Sequence, residues 1–144
     1  MNPPPRCFTF PRDGKFSLPA EWWVEAGMEG FECGAEAYLT PSPEAFLIRV
    51  EDIAPPNMDR RQHLGPGGFD HKRMVDILRG ISSRSAIPPV KIVEQQQGVY
   101  RYRLCEGYHR FHASVAAGFS HVPTVWGWIP ETEAVNALPA DGKA

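Results

Sequence analysis

Hydrophobic and polar positions alternate or recur at helical spacing along most of this chain, and the two rhythms mark out short elements. In "AFLIRVEDIAP", Phe46, Ile48 and Val50 share one face, which predicts a strand ending at Glu51-Asp52. "PPNMDRRQHLGPGG" follows as a long, basic, turn-rich loop. In "FDHKRMVDILRGI" the spacing of Met74, Ile77, Leu78 and Ile81 predicts a helix over 69–81. Asp70 is placed as its N-cap and Gly80 lies near its end. "SSRSAIPP" is a linker, and "VKIVEQQQGVYRYRLC" reads as two strands across a Gln-rich turn. From Tyr108 the period changes again: Tyr108, Phe111 and Val115 form a helical stripe, and Ala113, Ala116 and Ala117 fill tight contacts. Gly118 stands where a left-handed cap stops a helix. "HVPTVWGW" is then a return strand, with Pro123 near its start or on an edge.

The first forty residues are less regular. "CFTFPRDGKFSLP" predicts a hairpin around Asp13-Gly14, "PAEWWVEAGM" a short helix starting near Pro19, and "FECGAEAYLT" a further strand. Trp22 and Trp23 are adjacent, so they are not expected to face one core together. Plain packing is the favoured expectation for both, with cover of a surface or a partner by one of them as the alternative. The expected architecture is α/β of the α+β kind: a small mixed sheet flanked by helices over 45–130, a short β-rich extension over 1–44 and a tail over 131–144.

Composition narrows the classes. At 144 residues, with 42% apolar side chains, eight Phe, four Tyr and four Trp, the chain can bury a core and is not wholly disordered. A net charge of −2 gives no general attraction to nucleic acid, so DNA binding would need a local basic patch. Fifteen Pro and thirteen Gly fit many turns and short elements. Cys7, Cys33 and Cys105 are odd in number and lack paired spacing, which suits a reducing cytoplasm. No apolar run approaches a membrane span, and "MNPPPRCF" lacks a signal peptide's apolar region. A cytoplasmic protein without a membrane partner is expected.

The chemistry centres on "CEGYHRFH". His109 and Arg110 are two potential cations at the start of a helix, the end that carries about half a positive charge and disfavours them. In the plain resolution Arg110 turns to water or pairs with Glu106. In the sharper one, the first-turn N–H groups, a Gly that permits close approach and an Arg fork hold an anion such as phosphate. Lys72 and Arg73 occupy the first turn of the 69–81 helix, and Arg60 and Arg61 the preceding loop; each alone reads as a solvated surface charge, but together they are phosphate-binding candidates that strengthen the anion-pocket reading. Cys105, His109 and His112 offer a zinc set without an evident fourth ligand, and Cys105 could be a thiol nucleophile near a helix start. Glu51, Asp52 and Glu106 are the acids nearest the inferred site, able to hold Mg²⁺ or take a proton, and each reads equally as an exposed turn acid.

On these motifs the chain resembles the ParB/sulfiredoxin superfamily over about residues 46–126. "FLIRVEDIAPPNMDRR" looks like the family's opening strand, Pro-containing loop and Arg. "FDHKRMVDILRGISSRSAIPPVKIVE" looks like its first helix, a Gly near the helix end and the strand after Pro. "YRYRLCEGYHRFHASVAAGFSHVPTVW" resembles its most distinctive segment. The resemblance implies a ParB-like, sulfiredoxin-like fold whose phosphate-binding helix start holds a nucleotide (ATP, ADP or CTP) with Mg²⁺. That role falls to Gly107, Tyr108, His109 and Arg110, joined by Arg73 or Lys72. The family contains nucleotide hydrolases, phosphotransferases, sulfinic acid reductases and proteins labelled nucleases. Tyr108 stands where sulfiredoxins carry their catalytic Cys, so a reductase is not expected. The segment and DNA-binding domain that complete a partition protein are not recognisable after Pro130.

The expected function is nucleotide binding, with phosphoryl transfer, nucleotide hydrolysis or phosphodiester cleavage as its possible chemistry. Glu51, Asp52, Glu106 and His109 are the catalytic candidates. The other reading is a DNA- or protein-binding accessory module of plasmid, phage or partition type, contacting its partner through Arg60, Arg61 and the Trp pair. A homodimer is one assembly open to it.

Overall fold

The computed structural model describes residues 3–56, 59–96 and 98–127, with 59 and 60 by backbone alone. Its elements in chain order are β1 (Arg6–Thr9), β2 (Lys15–Leu18), α1 (Ala20–Glu25), β3 (Phe46–Arg49), β4 (Ile53–Ala54), α2 (His71–Ser82), β5 (Val90–Glu94), β6 (Tyr102–Glu106), α3 (Tyr108–Ala117) and β7 (His121–Trp126). Short 3-10 turns cover Val50–Asp52, Asp59–Leu64 and Pro66–Gly68. The fold is α+β. The expected tail over 131–144 lies outside the described residues. Among the described residues, no helix is long and apolar enough to cross a membrane.

β1 and β2 form the hairpin expected around Asp13-Gly14. Phe8 faces Phe16, and Phe10 N–H closes the turn on the Gly14 carbonyl at 2.9 Å. The hairpin carries aromatic rings into the common core: Phe10 stacks near Phe111, and Phe16 packs against Phe69. The five-stranded sheet has the order β3-β7-β5-β6-β4. β7 runs antiparallel to β3 and parallel to β5, and β6 runs antiparallel to β5 and parallel to β4. Pro123 sits inside this sheet, not on an edge. It faces Leu47, and the ladder to β5 starts one residue later, at Thr124. The imide nitrogen of Pro123 thus precedes the ladder that would require a donor.

α2 forms as its pattern predicts. Asp70 caps it by accepting the Arg73 N–H at 2.9 Å, and Met74, Val75, Leu78 and Ile81 are buried. Asp70→Ala should cost about 1 kcal/mol, read as a lower melting temperature, whereas Asp70→Ser should keep most of the cap. α3 lies between two glycines in left-handed conformation, Gly107 (φ 108°) and Gly118 (φ 93°).

Three expectations are corrected. The strand over 46–52 breaks: β3 ends at Arg49, Val50 turns into the core, and Glu51 and Asp52 project from a 3-10 turn before β4. Continuing the alternation would have carried the carboxylates into the sheet. Residues 31–40 form no strand; their backbone runs irregularly, with Glu36 and Leu39 carbonyls accepting the His121 and Ile87 N–H groups. Trp22 and Trp23 are both buried, because α1 is wedged between neighbours on two sides. Trp22 stacks on His71 of α2 (centroids 4.8 Å apart), and Trp23 packs against Phe8 under the Arg6 guanidinium.

Candidate functional site

The site is built around the sharp passage from β6 into α3. Gly107 makes that passage with φ 108°, and a Cβ on it would stand 2.6 Å from Cγ1 of Val90 on the adjoining strand. Its glycine is therefore demanded by packing and backbone together. No side chain caps α3 at this end, unlike Asp70 on α2. The first-turn N–H groups of α3 thus begin beside a hollow of about 830 Å³.

Among the described residues, three arginines from three separate segments line that hollow: Arg61 from the Asp59–Leu64 turn, Arg73 from the first turn of α2 and Arg110 from the first turn of α3. Arg61 lies 4.0 Å above the Tyr108 ring and its Nε reaches toward the Gly68 carbonyl at 3.4 Å. Tyr108, half-buried, has its hydroxyl pKa raised by burial, against the opposing pull of Arg61. Arg110 donates through Nη1 to the Pro89 carbonyl at 2.6 Å and lies 3.9 Å from Glu106 through Nη2. The expected pairing with Glu106 is thus loose, and the firm anchor is a backbone oxygen. Arg73 is exposed, and its backbone N–H is committed to the Asp70 cap.

His109 is not a cation. It is buried, and its Nε2 accepts the Asp70 backbone N–H at 2.9 Å, a role open only to the neutral ring with its proton on Nδ1. Burial, reinforced by Arg61 and Arg73, lowers its pKa to about 4, with Asp70 opposing. This bond ties the start of α3 to the start of α2 and sets Arg73 and Arg110 around one space. His112 is fully buried among Phe10, Phe16, Phe69, Phe111 and Tyr108. Its Nδ1–H donates to the Tyr108 carbonyl at 2.7 Å, and burial lowers its pKa to about 4 as well.

Of the acids, only Glu106 lines the hollow, where it pairs with Lys91 at 3.3 Å. Glu51 and Asp52 are not brought there; they meet Arg12 at 3.7 and 3.8 Å, and Glu51 also takes Arg49 at 2.6 Å. Lys72 points away and pairs with Asp76 at 2.7 Å. The Arg60 side chain lies outside the described residues. Cys105 lines the hollow, but Cys105, His109 and His112 make no zinc set. Among the described residues, no group of three or more His, Cys, Asp or Glu side chains is placed to hold a metal.

Periodicity did not point to the apolar residues that share the lining, Ile77, Ile87, Pro88, Leu104 and Pro56. Ile77 belongs to the α2 stripe yet stays half-exposed, as part of this lining. A second, shallow hollow of about 710 Å³ lies between Pro3–Pro5 and α1. Among the described residues, Glu21, Glu25 and Glu29 line it against one cation, Arg6, a balance unsuited to an anion.

No protein-family model matches the chain, and no curated protein matches it.

Proposed function

We propose that the hollow before α3 binds a nucleotide through its phosphates. The observation that carries this reading is the convergence of Arg61, Arg73 and Arg110 on an uncapped helix start, with one carboxylate, Glu106, among the described lining residues. Three guanidinium forks and oriented N–H groups suit a phosphate chain. The apolar residues in the lining suit the rest of a nucleotide, and the volume lies within the range of small-molecule sites. For Mg²⁺ the described lining supplies one carboxylate, which suits an ion carried in on substrate phosphates better than one held in a protein cage.

We assign the chain to the ParB/sulfiredoxin superfamily as part of the same proposal. Its support is the course of residues 103–123: strand, left-handed Gly, helix with His-Arg in its first turn, left-handed Gly, strand. The reaction such a site serves is attack at a nucleotide phosphate, by phosphoryl transfer, hydrolysis or phosphodiester cleavage. In it Arg73 and Arg110 would hold developing negative charge. His109 enters as the link between the two helix starts and has no proton to give from Nε2.

The test is thermal denaturation of the full chain with ATP, ADP, CTP or GTP and Mg²⁺. A ligand at a hundred times its Kd stabilises by about 2.7 kcal/mol, which raises the melting temperature by several degrees. Arg73→Ala should abolish most of that rise while leaving the unliganded melting temperature nearly unchanged, since the side chain is exposed. A rise that survives both Arg73→Ala and Arg61→Ala would remove the site from this hollow.

A further inference from the structure

The three arginines of the hollow are held in different ways. Arg73 and Arg110 stand on helices, and Arg110 is anchored to the Pro89 carbonyl. Arg61 comes from the Asp59–Leu64 turn, inside a stretch rich in Gly and Pro, so its placement depends on what its side chain touches. Its Cζ lies 4.0 Å from the centroid of the Tyr108 ring, and its Nε–H donates to the Gly68 carbonyl at 3.4 Å. The ring is itself held. The Tyr108 hydroxyl donates to the Gly67 carbonyl at 3.4 Å, and the ring packs 5.3 Å from that of Phe69 and 4.4 Å from that of His112. The Pro66–Gly68 turn thus gives one carbonyl to each partner of the stack.

A guanidinium is planar, and stacking on an aromatic ring uses its face while recognition of an anion uses its in-plane N–H groups. The contacts with Tyr108 and Gly68 use one face and Nε–H. Neither uses the edge formed by Nη1 and Nη2, which matches two phosphate oxygens. A long side chain fixed beforehand also loses less rotamer freedom when a ligand arrives. Tyr108 is the first residue of α3, so the ring that carries Arg61 belongs to the helix whose first N–H groups begin beside the hollow. We propose that Tyr108 is a positioning residue of the phosphate site: its ring holds Arg61 ready for the phosphates, and the stack stays in place in the liganded protein. This rests on the phosphate reading above and adds how the loop arginine is made part of that site.

The experiment is calorimetric titration of the full chain with inorganic tripolyphosphate and Mg²⁺, a probe of the phosphate contacts alone. Arg61→Ala should weaken binding about tenfold and Tyr108→Leu about three- to tenfold. Tyr108→Phe keeps the ring and should stay within about twofold of the unaltered chain. In the Arg61→Ala background Tyr108→Leu should cause no further loss, because the ring acts through the guanidinium. Tyr108→Met serves the same comparison should Tyr108→Leu fail to fold. Without any variant, the Arg61 Cδ protons should show a ring-current shift in NMR spectra that persists when tripolyphosphate is added. No loss from Tyr108→Leu, an equal loss with and without Arg61, or a ring-current shift that vanishes on ligand addition would overturn the positioning role. If Arg61→Ala leaves binding unchanged, this inference falls while the phosphate reading stands on Arg73 and Arg110. Failure of the unaltered chain to bind tripolyphosphate would bring down the phosphate reading itself and this inference with it.

Discussion

Acidification from pH 7 to pH 4 should unfold the protein, and the two buried imidazoles should supply most of the effect. His109 and His112 have pKa values lowered from 6.5 to about 4, mainly by burial. A group with a depressed folded pKa leaves the native state undisturbed above its unfolded value. As pH falls below 6.5 the unfolded chain takes up protons that the folded chain refuses, and stability declines until the folded pKa near 4 is reached. Each imidazole costs up to about 1.4 kcal/mol per pH unit in that window. Two of them acting together compare with the whole stability of an ordinary domain, about 5–15 kcal/mol. Asp76, whose pKa is lowered from 3.8 chiefly by the Lys72 hydrogen bond, titrates beneath the window and does not blur it. Urea unfolding at stepped pH measures the slope. His112→Phe should reduce it from about two protons to about one. A flat profile between pH 6.5 and 4 would mean that neither ring is held neutral by its surroundings.

Gly107→Ala should be strongly destabilising, costing about 3 kcal/mol. Two causes add: a left-handed φ of 108° that an L side chain resists, and a Cβ placed 2.6 Å from Val90 Cγ1 and 3.2 Å from Val90 Cα. The side chain of Val90 can be removed, but its backbone, at the first residue of β5, cannot retreat without disturbing its pairing to Thr124 of β7. The double variant with Val90→Ala should therefore be less destabilised than the sum of the two single changes, and the residual cost measures the backbone part. The check is the midpoint of urea unfolding at constant m-value. A cost below about 1 kcal/mol would show that packing does not demand this glycine, and close approach of a ligand would become its main reason.

Residue pattern and tertiary surroundings divided the determination of this protein between them. The α2 helix, its Asp70 cap, the hairpin at Asp13-Gly14 and the helix bracketed by Gly107 and Gly118 are legible in the chain, because caps, turns and left-handed glycines act within a few residues of backbone. The pairing of β5 with β6 was legible for the same reason. Arg61, Arg73 and Arg110, which line the hollow, were also named from sequence, since basic residues at two helix starts and in a Gly/Pro loop are local signals, whereas Tyr108 was named through the family resemblance.

Other features depended on neighbours far away in the chain. Alternation through 46–52 continues past the point where Val50 turns inward and Arg12 claims both following carboxylates, so the break belongs to the partner and not to the pattern. Adjacent Trp22 and Trp23 look irreconcilable with one core until α1 has packed neighbours on both sides. Most telling is His109. By sequence it is one of two cations placed against a helix's positive end; in the fold it is a neutral acceptor for the N–H of Asp70, 39 residues away. Charge state follows solvent access and hydrogen-bond partners, and both exist only once the chain has closed on itself. Local residue order thus determined where the helices start and which cations they carry, while packing decided which of those groups stay charged and that three of them share one hollow.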